Sequence, residues 1–266
     1  MFPFRPNTAP HFAVNYAITN NPAQANTDMF NAIQYSRDED FLKLLETALS
    51  QGASINARNH MGRDVLTLAV EAKQPYKVQT LLAKGAELPY VPADGKDLLM
   101  IAAEKGSAAL VSVLIHVARL DVDVCDSHDQ TALHYAVKSG NKEAAEVLLA
   151  NNANVNACSK ASESAGLREY LADTREINDP RITPLMIASS DEDSEMVALL
   201  CKYSADPHLG SCLPLTIAMQ NNDAETMNVL IENGADPFHA RDTNGNSLLK
   251  NALIHKCSIE CLRLIT

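Results

Sequence analysis

Six cysteines and a short run of carboxylates are the residues of this chain with the clearest capacity for chemistry. Cys158 could be a nucleophile if a histidine faced it, so an enzyme centred on this thiol is one hypothesis and an inert thiol is the alternative. Asp191, Glu192, Asp193 and Glu195 could ligate a cation, or they could form a solvated acidic turn. No CxxC spacing occurs among the cysteines, so we predict reduced thiols, no metal site and no cofactor.

Catalytic sequence motifs are absent from the chain. GxSxG, HExxH, GxxxxGK[ST] and a GxGxxG after a strand do not occur, and the eight histidines are scattered along the sequence. Each of these motifs fixes a nucleophile, a metal or a phosphate-binding loop at a set spacing. We therefore predict that the chain is not an enzyme.

Composition and charge exclude several classes of partner. Acidic residues number 33 against 22 basic residues, a formal charge of −11, whereas nucleic-acid binding needs a basic surface. Aromatic residues make up 5% of the chain and tryptophan is absent, which disfavours β-sandwiches and base-stacking surfaces. The N-terminus lacks the apolar region of a secretory signal, and no run approaches the ~18 apolar residues of a membrane span. We predict a cytoplasmic protein that binds no nucleic acid and does not insert into a membrane.

An internal repeat sets the elements that would position functional residues. Six alanines recur at spacings of 33, 34, 52, 30 and 34 residues, and an apolar pair follows each alanine 12 residues later. The alanines are Ala69, Ala102, Ala136, Ala188, Ala218 and Ala252. The pairs are Leu81–Leu82, Leu114–Ile115, Leu148–Leu149, Leu200–Cys201, Leu230–Ile231 and Leu264–Ile265. Two markers in one register indicate repeated structural units with length variation between them.

Each repeat is predicted to hold two short helices. Residues with acceptor side chains recur where the first helix would begin, and such residues cap free helix N–H groups. They are Asp64, Asp97, Thr131, Thr183 and Ser247. The second helix carries a stripe of bulky apolar residues and is predicted to end at Gly85, Asn152 or Gly234, since Gly and Asn adopt the left-handed conformation readily.

These patterns resemble the ankyrin repeat family. The helix-start motif Thr-Pro-Leu-His-x-Ala appears as TALHYA in residues 131–136 and as TPLMIA in residues 183–188. The second signature of the family, Leu-Leu-x-x-Gly-Ala-x-x-Asn, appears as LLANNANVN in residues 148–156. The resemblance implies an all-α, ankyrin-type solenoid of about seven helix-turn-helix repeats with β-hairpin-like loops. It also implies that His134 has a structural hydrogen-bonding role.

The repeat register divides the chain as follows. Residues 1–26 are predicted to be an irregular N-terminal arm, and residues 159–177 an inserted loop. The ankyrin-repeat domain spans residues 27–266, with repeats at 27–58, 59–91, 92–125, 126–158, 178–208, 209–241 and 242–266. The first repeat is predicted to be a divergent cap. The last repeat carries Leu262, Leu264 and Ile265, so we predict that this end either is followed by further chain or is sticky.

Partner-binding positions are implied by the family resemblance at the hairpin tips and at the C-terminal ends of the first helices. The predicted partner-binding residues are His60, Met61, Arg63, Glu71, Asp94, Lys96, Glu104, Lys105, His128, Gln130, Lys138 and Asp191. Further positions on the same register are Ser127, Ile182, Ser190, Gln220, Asn221, Thr243 and Asn244. The inserted loop adds Leu167, Arg168, Tyr170 and Leu171, because Tyr and Arg are favoured interface anchors.

Two functions follow as hypotheses. The first is a monomeric, non-enzymatic scaffold that binds another protein through a concave face and the long inserted loop. Degenerate arrays of this kind also resemble effectors that intracellular bacteria deliver into the cytosol of a host cell. The second is the targeting region of a larger enzyme whose catalytic domain lies outside this chain.

Overall fold

The computed structural model describes residues 21–89, 95–160, 181–210, 213–241 and 245–266. These residues divide into two compact units, one ending at Val65 and the other running from Leu66 to Thr266. Within the described residues there are fourteen helices and one two-stranded sheet. The all-α class predicted from the sequence is confirmed.

The first unit holds a helical hairpin and a tight turn. Helices α1 (Pro22–Tyr35) and α2 (Asp38–Ser50) pack together around buried apolar residues that include Met29, Phe41 and Leu45. Their lengths of 14 and 13 residues exceed the 7 to 9 residues of the helices in the repeats that follow, up to Glu232, as expected for a divergent repeat. The following turn is closed by an antiparallel bridge between Arg58 and Asp64.

The predicted irregular arm extended too far. Helix α1 begins at Pro22, so residues 22–26 are helical rather than irregular. The reason is local, since the Asn21 side chain accepts a hydrogen bond from the Ala23 N–H and proline is favoured at the first helical position. Residues 1–20 lie outside the described part of the chain.

The second unit contains pairs of short helices in regular succession. The helices in chain order are α3 (Val65–Glu71, which begins at the unit boundary), α4 (Pro75–Ala83), α5 (Leu98–Glu104), α6 (Ala108–His116), α7 (Ala132–Lys138), α8 (Lys142–Ala150), α9 (Pro184–Ser190), α10 (Ser194–Lys202), α11 (Pro214–Gln220), α12 (Ala224–Glu232), α13 (Leu248–His255) and α14 (Ile259–Leu264). The strands are β1 (Ser159–Lys160) and β2 (Arg181–Ile182).

The helices of the second unit form two layers. In one layer, the first helices α5, α7, α9, α11 and α13 each contact the next in that order. In the other, the second helices α4, α6, α8, α10, α12 and α14 do the same. The predicted alanines are buried. Leu81, Leu114 and Leu148 of the predicted apolar pairs are fully buried, whereas Leu82 and Ile115 are partly exposed. The core is therefore a continuous seam between the two layers.

The predicted helix caps are largely confirmed. The side chains of Asp97, Thr183 and Ser247 accept hydrogen bonds from the N–H groups of Met100, Met186 and Lys250. Asn152 adopts a left-handed conformation with φ of 65°, as predicted for the end of a second helix. These caps satisfy backbone groups that seven-residue helices leave exposed.

Successive repeats are joined by a half-buried amide. The Nδ2 of Asn141, which precedes α8, donates to the carbonyls of Ala103 (2.9 Å) and Glu104 (2.8 Å) at the end of α5. Gly106 makes room for this contact, since a Cβ at that residue would approach Asn141 Oδ1 to 2.3 Å, and its φ of +74° already favours glycine. Asn221 makes the equivalent bonds to Ser189 and Ser190, two repeats later in the chain.

We expect Asn141→Ala to lower the free energy of unfolding by about 1–3 kcal/mol, because two hydrogen bonds between repeats are lost and two carbonyls are left without that donor. Urea unfolding followed by circular dichroism measures the change. Asn228→Ala is the matched control, since the Asn228 amide bonds only to exposed Glu232 on its own helix. Equal unfolding midpoints for the two variants would show that the Asn141 hydrogen bonds do not couple the repeats.

Candidate functional site

The hairpin tip before α7 is built around one carboxylate. Cys125 and Thr131 form an antiparallel bridge, and Asp126 Oδ1 accepts the N–H groups of His128 (2.8 Å) and Gln130 (2.9 Å). This arrangement turns the backbone and leaves the side chain of His128 exposed, as predicted. Gln130 is only 6% exposed, which corrects its predicted position on the binding surface. Gln130 lies at the end of the turn, where its backbone N–H is hydrogen bonded to the buried Asp126 carboxylate.

A tyrosine fixes this tip to the first helix behind it. Tyr135 Oη donates to Asp126 Oδ2 at 2.6 Å, and the tyrosine is buried. Burial and the neighbouring Asp126 carboxylate raise the pKa of Tyr135 well above its usual range. Burial alone would raise the pKa of Asp126, but the hydrogen bonds from Tyr135 and from two backbone N–H groups lower it. Asp126 is therefore ionised and Tyr135 is protonated at neutral pH.

Lys96 connects this tip to the preceding repeat. Its Nζ lies 2.8 Å from Glu104 Oε1 and 4.3 Å from the centre of the Tyr135 ring. Each of these contacts is worth about 1 kcal/mol or less at such an exposed site. Their value is positional, because they hold a lysine and a glutamate side by side on the surface formed by the tips and the ends of the first helices.

Opposite charges continue along the ends of the first helices. Lys105 and Lys138 are exposed at the ends of α5 and α7, and Asp191 is exposed just after α9. Burial and the neighbouring Asp193 raise the pKa of Asp191, while Lys138 lowers it. Lys138 is thus close enough to Asp191 to interact with it electrostatically. We call the surface formed by Lys96, Glu104, Lys105, His128, Lys138 and Asp191 the first-helix face.

The inserted segment leaves the array through a short ribbon. Ser159 and Lys160 of β1 pair antiparallel with Ile182 and Arg181 of β2, so residues 159–160 are strand rather than part of an irregular loop. Lys160 N–H donates to the His128 carbonyl at 2.9 Å, and Lys160 Nζ lies 3.1 Å from Asp129 Oδ2. The ribbon is therefore attached to the hairpin tip of the first-helix face. Ile182 is buried and cannot serve as the surface contact predicted for it.

His134 has the structural role implied by the family resemblance. Its Nδ1 accepts the Thr131 N–H at 3.2 Å, so the proton lies on Nε2, which donates to the Ile182 carbonyl of the next repeat at 3.3 Å. Burial lowers the pKa of His134 to about 4. The imidazole is therefore neutral, and both of its nitrogens are already bonded, so neither is available to activate a thiol.

The other residues with chemical capacity have structural explanations. Asp193 caps α10 through the Met196 N–H, and Glu195 forms an ion pair with Lys142. The Cys158 thiol contacts the Asn156 carbonyl at 3.7 Å. Burial raises the pKa of Cys201 to about 11, which disfavours its reactive thiolate. Within the described ranges, no group of three or more His, Cys, Asp or Glu residues is arranged to hold a metal ion.

The remaining predicted contact residues fall into three groups. His60, Met61 and Arg63 are exposed in the first unit, where Asn59 Oδ1 shapes their turn by accepting the N–H groups of Met61 and Arg63. Glu71, Ser190, Gln220 and Asn221 are partly exposed, and Ser127 is exposed, in the second unit. Asp94, Leu167, Arg168, Tyr170, Leu171, Thr243 and Asn244 lie outside the described residues.

Sequence reasoning missed the two residues that organise the tip, Asp126 and Tyr135. A signal for Asp126 was present, since Asn59 and Asp126 both lie five residues before a first-helix start and both accept turn N–H groups. No sequence signal marks Tyr135, because its importance comes from reaching Lys96 of another repeat.

Comparison with known proteins identifies the class of this fold. Residues 66–159 and 157–242 match the family model described as ankyrin repeats (3 copies). Because these segments cover more than half of the chain, the chain belongs to the ankyrin repeat family. Repeats of this family bind other proteins through extended surfaces. Among the described residues, no helix is both long and apolar enough to span a membrane.

Several individual proteins are similar to the chain. Neurogenic locus notch homolog protein 2 of Homo sapiens is 36% identical over 124 residues, covering 46% of this chain and 5% of that protein. The nuclear factor NF-kappa-B p105 subunit of Gallus gallus is 27% identical over 178 residues, covering 60% of this chain and 18% of that protein. The chain thus spans less than a fifth of the length of these relatives.

Two solved structures share the fold. The ankyrin repeat domain of human ASB11 is 27% identical, with a TM-score of 0.64, and the match covers 90% of this chain and 97% of that one. The ankyrin repeat domain of Bcl-3 gives a TM-score of 0.68 at 20% identity, with the same coverage, and shows the fold alone.

We expect His134 to make the protein less stable as the pH falls from 6.5 to about 4. The unfolded chain protonates this histidine near 6.5 and the folded chain near 4, so only the unfolded state gains a proton in that window. The loss approaches about 1.4 kcal/mol per pH unit and levels off below the folded pKa. His134→Gln keeps an acceptor for Thr131 and should flatten this part of the curve, as measured by urea unfolding at several pH values.

His255→Gln is the control for the titration experiment, because His255 is exposed on α13. The stability of the His255→Gln variant should depend on pH in the same way as that of the unaltered chain. If His134→Gln shows the same slope as the unaltered chain, His134 is not the group that titrates.

Proposed function

We propose that this chain is a non-enzymatic interaction module that binds a segment of another protein on the first-helix face of its second unit. The observation that carries the proposal is the alternation of charge on that face, where Lys96 is held by Glu104 and by the Tyr135 ring of the next repeat. Lys138 interacts electrostatically with Asp191 further along the face. Such a surface recognises a polypeptide whose charges run in the complementary order. Lys105, His128 and Asp191 extend the surface at either side.

The order of the surface supports the proposal. Side chains that are already fixed lose less conformational entropy on binding than free ones. The Lys96 amine is fixed by Glu104 and by the Tyr135 ring, and Tyr135 is in turn hydrogen bonded to Asp126. The two tip residues that sequence analysis missed therefore prepare the face without contacting the partner directly.

The inserted segment is a second part of the proposed interface. Strands β1 and β2 begin and end it beside the tip that carries His128, so residues 161–180 start next to the first-helix face. Leu167, Arg168 and Tyr170 remain the proposed anchors of this segment. Their placement is outside the described residues, and the proposal for them rests on residue type and on the position of the ribbon.

We expect charge reversal on the first-helix face to weaken partner binding at least tenfold. Co-purification with the intact chain followed by mass spectrometry identifies the partner, and titration calorimetry then compares Lys105→Glu with Lys138→Glu. Lys43→Glu is the matched control, since Lys43 is an exposed lysine on α2 in the first unit. Unchanged affinity for both face variants would contradict the proposed binding surface.

A separate variant tests the inserted segment. Replacing residues 161–180 with a short Gly-Ser turn keeps Lys160 paired with Arg181 and so preserves the ribbon. We expect the partner identified with the intact chain to bind this variant more weakly, with stability unchanged in urea unfolding. Equal affinity would remove the segment from the interface and leave the first-helix face as the binding surface.

A second candidate function is supported by the length of the relatives. The chain matches a small part of much longer proteins, which supports an array within a longer protein. We propose as the second candidate that this longer protein is an enzyme and that the array is its targeting region. The degenerate repeats, by their resemblance to bacterial effectors, support a partner in the cytosol of a host cell. Co-purification from cytosol distinguishes these settings by the identity of what is captured.

A further inference from the structure

Three charges at the ends of neighbouring first helices are available to a partner. Lys105 follows α5, Lys138 ends α7 and Asp191 follows α9, and all three side chains are exposed. Among the described residues, none of these three side chains is held in a hydrogen bond or an ion pair, whereas Lys96 is paired with Glu104. The first-helix face therefore presents a positive, a second positive and a negative charge in that order along the repeats.

The packing of the first helices sets the distance between these charges. Helix α5 contacts α7, and α7 contacts α9. The axes of packed helices lie about 8–10 Å apart. A partner that meets one charge in each repeat therefore needs side chains on one side of its own chain at intervals of roughly 8–10 Å.

The polyproline II conformation supplies this interval. It has three residues per turn and a rise of about 3.1 Å per residue, so residues i, i+3 and i+6 lie on one side about 9.3 Å apart. In a β-strand, side chains on one side recur every second residue, at about 6.6 Å and then about 13 Å. A strand therefore does not match the spacing of the repeats, and a polyproline II segment does.

An α-helix is the other conformation with a suitable interval, since seven residues rise about 10.5 Å. A helix that docks in a groove buries an apolar stripe against apolar side chains. None of the exposed large apolar residues of the described chain lies in α5, α7, α9 or residues 126–131. This part of the first-helix face offers charges without the apolar contacts that a docked helix needs.

We infer that the first-helix face binds a polyproline II segment of its partner, with acidic, acidic and basic residues at positions i, i+3 and i+6. The two acidic residues lie opposite Lys105 and Lys138, and the basic residue lies opposite Asp191. The spacing is the same when the segment is reversed, so the charge order applies in either chain direction. This inference rests on the proposed function, because it names the chemistry of the segment bound at that site.

The probes are short peptides with both ends blocked. One is Glu-Pro-Pro-Glu-Pro-Pro-Lys, and the second is its reverse, Lys-Pro-Pro-Glu-Pro-Pro-Glu. The control, Glu-Pro-Glu-Pro-Lys-Pro-Pro, has the same composition with its charges at every second residue. Fluorescence anisotropy with the full chain at low ionic strength, where exposed charges are least screened, measures the three affinities. We expect the tighter of the first two peptides to bind at least fivefold more tightly than the control.

A charge substitution then tests the position of the basic residue. The unaltered chain should bind the tighter peptide at least fivefold more tightly than Glu-Pro-Pro-Glu-Pro-Pro-Glu, and Asp191→Lys should reverse this preference. Glu225→Lys is the matched control, because it makes the same change in net charge at an exposed residue of α12. The Glu225→Lys variant should keep the original preference. Circular dichroism checks that both variants are folded, as expected for exposed residues.

Three results would overturn the inference. They are failure of every peptide to bind at about 1 mM, equal binding of the two spacings, and an unchanged preference in the Asp191→Lys variant. If Lys105→Glu and Lys138→Glu nevertheless weaken the co-purified partner, the proposed function stands and only the polyproline II segment is removed. Unchanged partner affinity in both face variants contradicts the proposed function and removes the inference that rests on it.

Discussion

The structure of the second unit depends on each helix pair burying its apolar surface against the next pair. A helix of seven residues is too short to be stable alone in water, so its stability comes from packing. Hydrogen bonds between repeats fix the position of one helix pair against the next. Asn141 reaches the end of α5, and His134 reaches the start of the next repeat. The same geometry recurs along the chain, which is why the register of two sequence markers is preserved while loop lengths vary.

This constraint also determines which residues can function. Buried polar side chains, such as those of His134 and Gln130, are not available to contact a partner. Those at the tips and at the ends of the first helices remain exposed on a rigid support. The result is a polar surface with contacts across repeats, since Lys96, paired with Glu104 of its own repeat, also lies over the Tyr135 ring of the next repeat. A binding surface of this type requires no pocket and no reactive group.

The fold was predictable from the sequence because it is repeated and local. Helix starts at Asp97, Thr183 and Ser247 follow from capping chemistry, and the apolar stripes follow from helical periodicity. The details that were missed depend on contacts between segments distant in the chain. Gln130 is buried because of the turn around Asp126, and residues 159–160 form a strand because they pair with residues 181–182. Of the apolar residues noted near the end of the sequence, Ile265 is buried and Leu262 and Leu264 are partly exposed, whereas the more exposed apolar residues of the last helix pair include Leu253 and Ile259.

The central claim, that a partner protein binds the first-helix face, is tested most directly by hydrogen–deuterium exchange of the chain with and without its co-purified partner. Binding should slow exchange at the tip residues 125–131 and at the ends of α5, α7 and α9, and should leave the second helices α8, α10 and α12 unchanged. Slowed exchange confined to the second helices, with the tips unaffected, would contradict it.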